Sequence, residues 1–207
     1  MKQATGKINP ATADMCMPLC LEGHIFGKHR LKPSANGVGF VFTLVTRKST
    51  LVPAEVFDEP LAAEYLAAAG LMCSEEECAV WSEPHDGMVA VMAIRHDVQE
   101  KLAENFNRPV FFTSPLLDGR HDGEGALALQ IGNGAGYFRY ADADGLQLAE
   151  CVAIDTDDDV LYYTTQIFRH LNLSADTIIY IGRADDGDVS GAAALLQRYF
   201  KRVICEL

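Results

Sequence analysis

The chain has 207 residues, 49% of them hydrophobic and 22% charged, with a formal net charge of -12 at pH 7. That is long enough to bury a sizeable core, in one domain or two small ones. The acidic balance excludes a general nucleic-acid binder, which needs Lys and Arg in excess to meet phosphates, and no apolar run approaches the roughly 20 residues that span a bilayer.

Residues 1–36 contain no basic segment leading into an apolar one, so no secretory signal is expected and the protein is placed in the cytoplasm as a soluble chain. They keep no sustained period, are punctuated by Pro10, Pro18 and Pro33, and read as a loosely organised lead-in with one strand near 19–25. Cys16, Cys20, His24 and His29 form a C-x3-C-x3-H-x4-H string that raises zinc. The spacing is not that of the common short knuckles, and no apolar framework surrounds it, so no metal site is assigned. Residues 38–45 (VGFVFTLV) form a strand by their β-branched and aromatic content. A helix follows at Pro60, capped by Asp58 or Glu59, with Leu61, Tyr65, Leu66 and Ala69 as its apolar stripe and Gly70 at its end. Residues 78–81 and 88–94 make a hairpin across a Glu-Pro-His-Asp-Gly turn. The next helix, capped at His96 or Asp97, carries Val98, Leu102 and Phe106 on one face. A short strand at 110–113 leads to the polar stretch 118–125, the expected boundary between domains at 37–118 and 119–207.

Beyond that boundary, residues 126–154 hold three apolar runs separated by a glycine-rich turn (Gly132, Asn133, Gly134, Ala135, Gly136) and by Asp144-Gly145. This is a three-strand meander. Thr156 and Asp159 form a capping box for a helix with Val160, Leu161, Thr164, Ile167, Phe168 and Leu171 along one face. A strand at 177–181, a loop at 182–188, a helix at 189–200 burying Ala192, Leu195, Leu196 and Tyr199, and a strand at 203–207 complete the order β-β-β-α-β-α-β.

The fold class expected is α/β. Two such halves, the first rougher and abbreviated, resemble the actin-like ATPase architecture, a duplicated ribonuclease-H-like fold. LVPAEVFDE at 51–59, AEYL at 63–66, DTDDDVLYY at 155–163 and IIYIG at 178–182 resemble, in that order, a bacterial domain-of-unknown-function family with this fold and no assigned activity. The likeness runs from about residue 38 to the C-terminus.

In superfamily members that hydrolyse ATP, the resemblance implies two Asp-x-Gly hairpins gripping phosphates and Mg²⁺, and a strand ending in Gly-Gly beside the adenosine. Glycines let the backbone approach phosphate oxygens, amides donate to them, and the carboxylate holds the hydrated metal. Here the second hairpin is QIGNGAG, with Gln130 where the carboxylate is expected, followed by Gly132, Asn133 and Gly134. The strand IIYIG ends in Gly182-Arg183, and no first Asp-x-Gly hairpin is present. These six residues are the candidate nucleotide-binding set, and neither ATP nor Mg²⁺ is expected as a cofactor.

The glycines at 132, 134 and 136 also suit an ordinary tight hairpin. Asp155, Asp157, Asp158 and Asp159 suit the positive end of a helix, and Asp185, Asp186 and Asp188 a solvated loop before the last helix. Trp81 reads as core. The His85–Asp86 pair has no assigned nucleophile beside it, so no catalytic residue is named. Cys73 and Cys78 flank an acidic loop, while Cys151 and Cys205 sit in apolar runs as small hydrophobes. The expectation is a non-catalytic binding or scaffold module with a degenerate nucleotide site and a protein partner. The alternatives are a nucleotide-dependent ATPase or sugar-kinase-like phosphotransferase, and a zinc-stabilised adaptor.

Overall fold

The computed structural model describes residues 20–21, 24–26, 40–105 and 109–206. Strands β1 (Cys20–Leu21), β2 (His24–Phe26) and β3 (Phe40–Val45) precede β4 (Ser49–Pro53), a 3-10 turn at Glu59–Leu61 and α1 (Ala62–Ala68). Then come β5 (Glu77–Trp81), β6 (Met88–Arg95), α2 (His96–Asn105), β7 (Val110–Thr113) and a second 3-10 turn, Pro115–Leu117. The second half is β8 (Ala126–Gly132), β9 (Ala135–Asp142), β10 (Gly145–Ala153), α3 (Asp157–His170), β11 (Ile179–Arg183), α4 (Ser190–Tyr199) and β12 (Val203–Cys205), in the order read from the sequence.

Among the described residues the strands form three sheets. The first runs β1-β2-β3-β7, antiparallel except for the β3/β7 pair. The second is the antiparallel trio β4-β6-β5. The third runs β10-β9-β8-β11-β12, antiparallel through the meander and parallel from β8 onward.

Strand β6 explains how the first two sheets stack. Its run MVAVMAIR has no polar alternation because both faces are buried, and a period of two divides it between two cores. Val89, Val91 and Ala93 join Ala62 and Leu66 of α1, whereas Ala90, Met92 and Ile94 pack with Phe42, Leu44, Phe112, Val98 and Leu102. In the third sheet Leu127, Leu129, Phe138, Ile179 and Ile181 meet Val160 and Ile167 of α3 and Ala192 and Leu196 of α4. The opposite face belongs to a cluster of Val45, Leu116, Ala135, Tyr137 and Ala184, which draws on both halves of the chain.

Several expectations need correction. Strand β4 was not expected, because Ser49, Thr50 and Pro53 dilute its apolar content; its register opposite Val89–Met92 of β6 supplies the missing signal. The expected strands at 38–45, 177–181 and 203–207 lie at Phe40–Val45, Ile179–Arg183 and Val203–Cys205. Where one N-terminal strand was expected, the described residues form two short antiparallel strands, with Cys20 opposite Ile25 and Leu21 opposite His24. Leu61 is 37% exposed and Tyr199 67% exposed, so neither belongs to a buried stripe. Ala193 and Val189 take the buried positions on the α4 side instead. Cys16, His29 and Phe106 lie outside the described residues.

Helices α1 and α3 end alike. After α1, Gly70 sits at φ +74°, its N–H donating to the Ala67 carbonyl at 3.0 Å and that of Leu71 to Leu66 at 2.8 Å. After α3, Asn172 at φ +51° does the same with Arg169, and Leu173 with Phe168. Both are Schellman closures, which satisfy carbonyls the helix leaves unpaired.

Candidate functional site

The six candidate residues converge on the carboxyl ends of two adjacent parallel strands. Gln130 pairs with Gly182 and Ile131 with Arg183 across β8 and β11, and the Ala184 N–H donates to the Ile131 carbonyl at 2.9 Å. Open α/β sheets place ligand crevices at such ends. Asn133 (φ +46°) and Gly134 (φ +66°) form a two-residue turn with both residues left-handed, the type I′ geometry that an Asn-Gly pair favours.

One amide of this turn already has an anion, which an amide of its own loop also holds. The Asn133 N–H donates to Asp185 Oδ2 at 2.6 Å, and the Gly187 N–H donates to Asp185 Oδ1 at 2.7 Å. Gly132 makes room for it: a Cβ there would lie 2.8 Å from the Asp185 carboxyl carbon. The expectation of a solvated 185–188 loop is therefore wrong at its first residue, since Asp185 is only 9% exposed. Across the turn, the Arg47 guanidinium lies against Gly134 and donates to Asp155 Oδ1 at 2.6 Å. The Asn133 side-chain amide donates to the Val45 carbonyl at 3.1 Å.

Gln130 points to a different neighbourhood. Its Nε2 donates to Asp118 Oδ2 at 2.7 Å, and Arg120 closes on the same carboxylate. Glu206 approaches Arg120 Nη1 at 3.7 Å and His121 Nε2 at 2.9 Å, while the His121 ring stacks on Tyr180 with centroids 3.6 Å apart. Gly182 lies beneath this group, its missing Cβ 3.6 Å from the Glu206 carbonyl. Burial pushes the Asp118 carboxyl up, but the bonds from Arg120 and Gln130 outweigh burial and hold it below its ordinary value. A carboxyl lowered in the folded state stabilises above its unfolded pKa of about 4, and that contribution is lost as pH falls through the folded value. Asp118→Asn should accordingly cost about 1 kcal/mol at neutral pH and progressively less in acid. Urea titrations of both proteins at pH about 7 and about 3 check this; a gap that stays constant refutes it.

Residues outside the candidate set hold the two halves together. The Thr46 N–H donates to the Tyr137 hydroxyl at 2.6 Å, and that hydroxyl donates back to the Thr46 carbonyl at 2.7 Å. Burial raises Tyr137 well above the ordinary phenol pKa. The Cys151 thiol, which burial pushes up to about 12, donates to the Thr46 carbonyl at 3.5 Å. Arg139, 7% exposed, donates to the Leu116 carbonyl at 2.7 Å and clasps Asp122 through Nε and Nη2 at 2.8 and 2.5 Å. One signal was available for Arg139: a cation inside the apolar run of β9 needs a buried partner.

The remaining candidates have local roles. Thr156 and Asp159 form the capping box of α3, with the Asp159 N–H donating to Thr156 Oγ1 at 3.3 Å. His85 and Asp86 meet at 3.4 Å on an exposed turn. Trp81 packs partly buried beside Phe57. Burial raises the Cys73 and Cys78 thiols, Cys78 to about 11. Among the described residues no group of three or more His, Cys, Asp or Glu is placed to hold a metal ion, and no helix is long and apolar enough to cross a membrane. An open groove of about 390 Å³ separates the start of α3 from α4, lined by Thr156, Asp157, Asp158, Gly191, Leu195 and Arg198.

A Bacteroides thetaiotaomicron protein with an actin-like ATPase fold and unknown function superposes with a TM-score of 0.64 at 16% identity, covering 81% of this chain and 67% of that one. The PilM-PilN type IV pilus biogenesis complex gives 0.46 at 15% identity, over 83% and 70%. The AlfA filament bound to AMPPNP gives 0.35 at 10%, over 70% and 49%. No curated protein matches the sequence. The first superposition shows the actin-like ATPase fold. The family described as Protein of unknown function (DUF3822) matches residues 41–203, and the chain belongs to that family.

Proposed function

We propose that the protein is a non-catalytic binding or scaffold module in which the nucleotide grip of the actin-like fold is degenerate. Gln130 carries this reading. At the position where a metal-holding carboxylate is expected, it presents an amide N–H to Asp118 and is locked there at 2.7 Å. Its remaining carbonyl oxygen is neutral, a weaker ligand for Mg²⁺ than the carboxylate it replaces. The working part is then a surface that meets a protein partner.

The reading takes the two halves as repeats at about 37–118 and 119–207, the first abbreviated, after a lead-in at 1–36. Supporting it, β3/β7 and β8/β11 are both parallel pairs whose second strand follows a helix. Calorimetry with Mg-ATP should register no saturable heat and no turnover; micromolar binding or sustained hydrolysis would overturn the proposal.

A further inference from the structure

We infer that the unit formed by the β4-β6-β5 sheet and α1 is the surface that docks a protein partner, and that it receives a Lys- or Arg-rich segment carrying apolar side chains. This deepens the scaffold reading by naming its working surface, and rests on it.

The apolar centre of this surface is held out by its own framework. After β4 the chain turns, with the Ala54 N–H donating to the Gly87 carbonyl at 2.8 Å and the Val56 N–H to the Pro53 carbonyl at 3.1 Å. The Tyr65 hydroxyl pins that turn to α1: it donates to the Val56 carbonyl at 2.6 Å and accepts from the Asp58 N–H at 3.2 Å. Phe57 packs against both Tyr65 and Trp81, with ring centroids 5.8 and 6.0 Å away. Around these half-buried rings, Val56 is 58% exposed, and so is 37% of Leu61, four residues before Tyr65 on the same helical face. The apolar groups are thus ordered before a partner arrives, which lowers the cost of binding.

Charge decides what covers them. Residues 49–94, which make up the unit, hold nine carboxylates and no Lys or Arg, a charge of -9 out of the -12 of the chain. Glu55, Asp58, Glu59 and Glu64 lie among the apolar residues and are exposed. Lys48, at the border of the unit, is already engaged by Glu77 at 2.5 Å. Nucleic acid and anionic membranes bring phosphates, which this field repels. A two-fold contact between copies would set the surface against itself, with carboxylates on both sides. A cationic protein segment is instead steered to the rim, and its apolar side chains cover Val56 and Leu61 at the centre.

The test titrates the full chain with a synthetic peptide of Lys-Lys-Leu-Leu repeats, and with Lys/Ser and Glu/Leu peptides of the same length. Anisotropy of labelled peptide and emission of Trp81, the single tryptophan, are the readouts. The Lys/Leu peptide should bind saturably, roughly tenfold or more tightly than either control, and shift the Trp81 emission. Val56→Ser, and the triple reversal Glu55→Lys, Asp58→Lys and Glu59→Lys, should each weaken it roughly tenfold. The same change of charge in the second half, Asp144→Lys, Glu150→Lys and Asp158→Lys, should leave it unchanged. Circular dichroism checks that each variant is folded, and if the first reversal is not, Val56→Ser decides alone. No saturable binding, equal binding of the Lys/Ser peptide, or equal weakening by the second-half reversal overturns the assignment. So does competition by phosphatidylserine vesicles, or a self-association of wild type that Val56→Ser abolishes. The parent reading fails separately: wild-type protein that turns over Mg-ATP sinks it whatever the peptides do.

Discussion

Tyr137→Phe should lower stability by about 3 kcal/mol, a midpoint drop of roughly 6–12 °C for a chain of this size. The substitution removes one oxygen and leaves the packing of the ring unchanged. It strands the Thr46 N–H outright and leaves the Thr46 carbonyl with only the weak Cys151 thiol donor at 3.5 Å. Tyr137 is 2% exposed and Thr46 6%, so water does not simply replace it. Leaving a buried donor or acceptor unmade costs about 1–3 kcal/mol for each group. Chemical denaturation monitored at the single Trp81 and by far-UV circular dichroism would measure it. A loss below about 1 kcal/mol would mean that the Thr46 groups find other partners.

Arg139→Leu is the second large effect expected, also about 3 kcal/mol. The guanidinium is 7% exposed and joins the 3-10 turn at Leu116 to the sheet while neutralising Asp122. Removing it leaves a buried carbonyl and an uncompensated carboxylate. The cost sits at the low end of the range for buried pairs because the Asp122 side chain is 31% exposed and can regain water. A cycle with Asp122→Ala separates the terms. If the pair acts as a unit, adding Asp122→Ala to the Leu variant should cost much less than Asp122→Ala alone. Strict additivity would refute the coupling.

The second half was legible because its signals are local. Asn133-Gly134 specifies a tight turn, Thr156 and Asp159 specify a helix start, and the apolar runs have strand and helix lengths. Strand β4 was not legible, since Ser49–Pro53 becomes a strand by pairing with β6 and not by its own composition. The candidate residues lie on β8, on β11 and in the turn after β8, and the partners that hold them were hidden. Asp185 lies 52 positions from Asn133, and Tyr137 lies 91 from Thr46. No period or motif encodes such a partner. The acidic 185–188 loop read as solvated because three carboxylates within four residues usually face water; one of them turned inward because an amide and a glycine left it room.

The grip of Tyr137 on Thr46 also sets a schedule for synthesis. The donor and acceptor on Thr46 are made 91 residues before the hydroxyl that satisfies them. At ribosomal rates of about 5–20 residues per second, that interval is roughly 5–20 s. Through it, the face around Val45 and Leu116 has neither Ala135 nor Tyr137 to cover it. The first half therefore waits in a partly uncovered state until β9 has left the ribosome. The docking of one half on the other is a contact of high sequence separation, which closes only after both halves exist.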